Sequence, residues 1–207
     1  MTELEKMLNG KIYNCMDPEV KSLRYKADAL VHEFNLLNLY QPEKKADLLG
    51  KLFPDHGEHL LIRGPIYVDY GINTHFGDEV YANFNFTILD VCPVYIGSHA
   101  LFGPNVSLLT AMHPLVAEER RCYKHEDDGY TDDEYAKPIR IGEDCWFGGS
   151  VTVLPGVTIG DRCVIGAGSV VTHDIPSDSL AYGNPCRVIR KITKEDSIHL
   201  KPELWEE

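Results

Sequence analysis

Between Ile141 and Val171 a hydrophobic residue returns at every sixth position: Ile141, Phe147, Val153, Ile159, Ile165 and Val171. A second series keeps step four residues later through Cys145, Val151, Val157, Cys163 and Ser169, all small or β-branched. A helix repeats about every 3.6 residues and a strand every second residue, so neither keeps this beat. A six-residue repeat is the signature of a parallel β-helix, in which each hexad supplies one short strand and one turn. With three hexads to a coil, residues 18 apart stack: Ile141 under Ile159, Phe147 under Ile165, Val153 under Val171. Neighbouring coils are then expected about 4.8 Å apart.

The same phase runs backwards, less cleanly, through Phe76, Ala82 and Ile88. An insertion near Val91-Cys92-Pro93 shifts the frame, which resumes at Ile96, Phe102 and Leu108. From His113 to about Lys137 the pattern stops, and Glu126, Asp127, Asp128, Asp132, Asp133 and Glu134 crowd this stretch. A loop of this length within a compact domain is usually functional or disordered. Before about residue 58 the pattern is helical. Asp17-Pro18 supplies a cap and a first-turn proline for one helix, and Gln41-Pro42 starts another. These two short helices are too few for a core of their own. The expected division is a helical cap over 1–58, a β-helix over 59–192 with an insertion over about 113–137, and a charged tail over 193–207.

The 207 residues carry a net charge of -12, which argues against a nucleic-acid binder. No apolar run is long enough to span a bilayer, and the first residues lack the features of a signal peptide. Six scattered cysteines without C-x-x-C spacing read as reduced thiols in a cytoplasmic protein. His75, His99, His113 and His173 contain no tight ligand pair, so no metal site is expected. Gly166-Ala167-Gly168 lies on the hexad beat and no helix start follows it, which rejects a dinucleotide loop.

Three stretches narrow the fold to a chemistry: Tyr81-Ala82-Asn83-Phe84-Asn85, Thr110-Ala111-Met112-His113-Pro114 and Ile141-Gly142-Glu143-Asp144-Cys145-Trp146-Phe147-Gly148-Gly149. Together with Leu89-Asp90-Val91-Cys92-Pro93 and Gly183-Asn184-Pro185-Cys186-Arg187-Val188-Ile189, they make the chain resemble the maltose and galactoside O-acetyltransferases over almost its whole length. The resemblance implies a left-handed coil, a homotrimer, and acetyl-CoA bound in clefts between subunits. Periodicity alone gives none of these.

On the residues that match, the resemblance implies that His113 takes the proton from a sugar hydroxyl, a task suited to imidazole near neutral pH. Asn83 would hold substrate and the tetrahedral intermediate, with Tyr81 lining the same pocket. Asp17, Arg24 and Asp90 match acceptor-side positions, although Asp17 also reads as a helix cap and Arg24 as half of a surface ion pair. On the cofactor side, Gly149, Ala167, Gly168 and Thr172 lie on turns of the second repeat block. Arg187 and Arg190 are placed to pair with phosphates. Trp146, one residue before a core position, points outward. Relatives often carry a serine and a lysine where this chain has Gly149 and His173. The mechanism expected is direct transfer without an acyl-enzyme, since no cysteine has an activated setting. Alternatives are an acetyltransferase acting on an amino sugar or oligosaccharide, or a silent trimeric scaffold.

Overall fold

The computed structural model describes residues 1–38, 40–125 and 129–205; Glu126, Asp127 and Asp128 of the acidic stretch lie outside the described residues. Short parallel strands stack into three faces of a left-handed parallel β-helix. The first face stacks Leu61–Ile62, Tyr81–Ala82, Leu101–Phe102, Trp146–Phe147, Val164–Ile165 and Ser179–Tyr182. The second runs from Ile66–Val68 through Phe86–Leu89, Ser107–Leu109 and Thr152–Val153 to Val170–Val171. The third holds Thr74–Phe76, Val94–Ile96, Ile139–Ile141 and Thr158–Ile159.

The stacking required by the hexad beat is present. Ile141 pairs with Ile159, Phe147 with Ile165 and Val153 with Val171, all buried. A short strand turning at both ends can bury only alternate residues, so one large side chain per hexad fills the lumen. Phe86, Phe102 and Phe147 stack along it with ring centroids 4.9 and 4.8 Å apart. Trp146, the neighbour of a core position, faces out and is exposed. Gly148 shows how closely the coils approach: a Cβ there would lie 2.6 Å from the backbone nitrogen of Ala167.

Two departures from the sequence expectation concern length. In the first block the interval between core residues grows from six to eight where the second face turns into the third, as from Val68 to Phe76 and from Ile88 to Ile96. The extra residues enlarge this corner. Among the described residues the cap contains three helices: α1 (Glu3–Leu8), α2 (Pro18–Leu36) and α3 (Pro42–Leu52). Of these α2 is long, with 19 residues. It begins at the expected cap, Asp17 Oδ1 accepting from the backbone of Glu19 and Val20. Ala27, Phe34, Leu48, Leu49, Leu52 and Phe53 join the lumen in one hydrophobic cluster, so the cap plugs the first coil. Among the described residues no helix is long and apolar enough to cross a membrane.

The inserted stretch is a third departure, because much of it is ordered as strands. Tyr123–His125 and Gly129–Thr131 pair as a hairpin. Asp133–Ala136 then lies between Tyr13–Asn14 and Ala111–Met112 in a small antiparallel sheet. The Lys137 N–H donates to the Thr110 carbonyl at 3.0 Å, closing the insertion at its base and leaving the coil unbroken.

Candidate active site

Each coil has three corners, and His113, Asn83 and the small residues expected beside the cofactor fall on two of them. The first corner, between the first and second faces, carries Asn83, Gly103, Gly149, Ala167 and Gly168. These turns stack through backbone bonds: Asn83 donates to Phe102 O, Gly103 to Phe147 O, Gly148 to Ile165 O and Gly168 to Gly149 O. The result is a ridge of small residues with Asn83 near one end. The Asn83 side-chain oxygen accepts from the Phe84 N–H at 2.9 Å.

The second corner, between the second and third faces, carries His113. It follows the Ala111–Met112 strand, which Asp133–Ala136 holds by pairing Met112 with Tyr135. The exposed imidazole has its Nδ1 3.5 Å from Asp132 Oδ2. Below it is a polar cluster whose members the sequence reading largely missed: Tyr13, Asp69, Tyr70, Asp132 and Glu134. The Tyr13 hydroxyl donates to Glu134 at 3.0 Å across the same small sheet. Arg24 of α2 points among them. Burial works against its charge, but Tyr70, Cys15, Tyr13 and Asp69 hold the guanidinium above its ordinary value.

Burial, with the nearby Asp90 and Glu134 carboxylates, pushes Asp69 up to about 7. Burial also raises Glu134, against the opposing hydrogen bond from Tyr13 and the field of His113. A pocket holding carboxyl groups in both protonation states can donate to and accept from the hydroxyls of a polyol. The signal for this cluster was the widened interval at the corner. It cannot identify the residues, because Tyr13, Arg24 and Glu134 arrive from the cap and the insertion.

Packing sets several of the expected site residues in surroundings of their own. Asp90 is fully buried, and its carboxylate accepts from the Tyr70 N–H at 2.8 Å and the Thr74 hydroxyl at 3.0 Å. It braces the Asp69-Tyr70 corner from beneath and cannot meet an acceptor. Thr172 and His173 follow Val170–Val171 and lie on the second corner, while Gly149, Ala167 and Gly168 form the ridge on the first. Arg190 is engaged by Asp196 through two bonds of 2.7 Å, which a phosphate would have to displace. Arg187 is exposed and its guanidinium donates to the adjacent Cys186 carbonyl. Burial pushes the Cys92 thiol up to about 11, the protonated and poorly nucleophilic form.

The four histidines considered for a metal are dispersed. His75 on the third face bonds Asp55, His99 lies at the third corner, and His113 and His173 sit on the second.

A rigid β-helix with a small-residue ridge on one corner and a histidine over a polar pocket on another defines the hexapeptide-repeat acyltransferase class. Residues 138–173 match the hexapeptide repeat of succinyl-transferase, and residues 6–57 match the maltose acetyltransferase hexapeptide capping motif. The galactoside O-acetyltransferase of Lactococcus lactis is 41% identical over 187 residues, covering 90% of this chain and 86% of its own. Among solved structures, a maltose O-acetyltransferase from Clostridium difficile superposes with a TM-score of 0.86 at 43% identity, covering 94% of this chain and 99% of the other. A galactoside acetyltransferase in complex with coenzyme A gives 0.86 at 41% identity, covering 95% and 94%. The chain belongs to the galactoside and maltose O-acetyltransferase family.

Proposed function

We propose that this protein transfers the acetyl group of acetyl-CoA to a hydroxyl of a sugar, in a site completed by a second copy of the chain within a homotrimer. The observation that carries this reading is the separation of its two halves. Asn83 and the small-residue ridge lie on the first corner, His113 and the polar pocket on the second, and a strand of the second face runs between them. Strand and turns together span roughly 15 Å or more. Bringing the first corner of one copy against the second corner of the next assembles the whole site.

In that site the pantetheine arm lies along the ridge around Gly149, Ala167 and Gly168, with its thioester carbonyl near Asn83. Arg187, and Arg190 once freed from Asp196, face the phosphates. The sugar rests on the partner's polar pocket around Arg24 and the second oxygen of Asp17, with Tyr81 on the opposite wall. His113 removes the proton of the attacking hydroxyl as its oxygen bonds to the carbonyl carbon. Asn83 donates to the oxyanion, the carbon–sulfur bond breaks, and the proton passes from His113 to the departing thiolate. The products are the acetyl ester and CoA. All six cysteines are free thiols, which fits a cytoplasmic setting.

Thiol release from acetyl-CoA across a panel of sugars tests the reading. Release should depend on an acceptor and fall by about 10²–10⁴-fold in His113→Ala. Unchanged activity in that variant removes His113 from the mechanism, and no release with any acceptor favours a scaffold.

A further inference from the structure

A hollow of about 380 Å³ opens where the end of α2 meets the first corner of the coil. Phe34, Tyr40, Pro65 and Phe84 form its apolar wall, and Lys45 and Arg63 supply its charge. Among the described residues no carboxylate lines it, although the chain holds 32 acidic residues against 20 basic ones.

Among the described residues both cations lack a counter-charge. Lys45 of α3 is only 9% exposed, and its ammonium donates to the Arg63 carbonyl at 2.7 Å and lies 4.7 Å over the Phe34 ring. Burial and the neighbouring Arg63 charge pull Lys45 below the ordinary lysine value. The Arg63 guanidinium stacks on the Phe84 ring at 4.4 Å, and among the described residues none of its side-chain N–H groups meets an acceptor. A buried cation is costly unless it is paired, and a bound anion would offset that cost here. One cation is a planar fork of donors and the other a point charge. Together they match a phosphate monoester, which carries about 1.5–2 negative charges at neutral pH. A carboxylate would satisfy the fork alone. The hollow is also larger than a phosphate group, and its rings offer room for an apolar body beside the anion.

We propose that this hollow binds a phosphate monoester with a small apolar body, as a ligand distinct from both the acetyl donor and the acceptor. Its phosphate meets Arg63 and Lys45, and its body rests against Pro65 and Tyr40. The site adjoins the reacting corner through Phe84. That ring carries Arg63, and the Phe84 N–H holds the Asn83 side-chain oxygen at 2.9 Å.

Calorimetric titration of the intact protein with phenyl phosphate tests the site, run without and with saturating coenzyme A. Phenyl phosphate has no alcohol to accept an acetyl group and no thioester to donate one. It should bind once per chain in both conditions, about tenfold more tightly than benzoate or inorganic phosphate. Arg63→Gln and Lys45→Met should each weaken it by about tenfold, with circular dichroism and coenzyme A binding unchanged. Should Lys45→Met fail to fold, Arg63→Gln alone decides. A change below threefold in Arg63→Gln overturns the site, as does the absence of binding to the intact protein. Displacement of phenyl phosphate by coenzyme A would assign the anion to the cofactor and overturn the proposal equally. Benzoate or inorganic phosphate binding as tightly as phenyl phosphate overturns the stated class of ligand.

Discussion

His113 owes its setting to residues that are distant in sequence. Its strand is held by Asp133–Ala136, its Nδ1 faces Asp132, and Glu134 on the same strand accepts from Tyr13 of the cap. Asp69, beneath the cluster, makes a prediction belonging to one side chain. Its folded value of about 7 exceeds the ordinary 3.8, so the folded state keeps a proton that the unfolded chain has released. The stability this contributes is fully present below about pH 4 and is lost as pH rises through about 7. Denaturant unfolding at pH 5 and pH 8 should therefore show the native protein losing stability between the two, and Asp69→Asn losing clearly less. Equal losses would place Asp69 in an ordinary solvated environment. At this scale His113 and Asn83 were singled out as candidates by their local motifs. Asp69 and Glu134 were not, because their chemistry comes from burial and neighbours that no local pattern encodes. Asp90 shows the converse, a motif residue that packing turned inward.

For the elements, the hexad beat specified the strands and their stacking. A fixed period with one large residue per turn leaves few ways to bury that residue. It also made Cys145 and Cys163 core filler, as found. The ridge depends on the same closeness. Gly148→Ala would place a methyl against the Ala167 backbone, where no flexible side chain can yield, at a cost of about 1–3 kcal/mol. Thermal unfolding should show that loss, and the affinity for CoA should fall as the ridge is deformed. A fully stable variant with undiminished CoA binding would mean that the coils can part locally without consequence. The inserted stretch lacked any period, so its strands escaped the sequence reading. They are specified by pairing with Tyr13–Asn14 and Ala111–Met112, which are remote partners.

In the whole molecule, the proposed division of the site between corners of neighbouring copies predicts that single copies are inactive. Co-expressed His113→Ala and Asn83→Ala chains should each be inactive alone yet regain activity when mixed. A site formed between copies needs one intact corner from each, which random assembly supplies in about one case in four. Mixtures as inactive as their components would place the complete site within one chain. The sequence by itself determined the coil, its core and the family, since each is written in a local motif or a strict period. Only the tertiary structure decided which residues share a pocket: it sent Thr172 and His173 to the corner away from the ridge, buried Asp90 and drew Tyr13, Arg24 and Glu134 together. The physical reason is that a period fixes the spacing along one coil, whereas a pocket at its corner is closed by segments that the period does not govern.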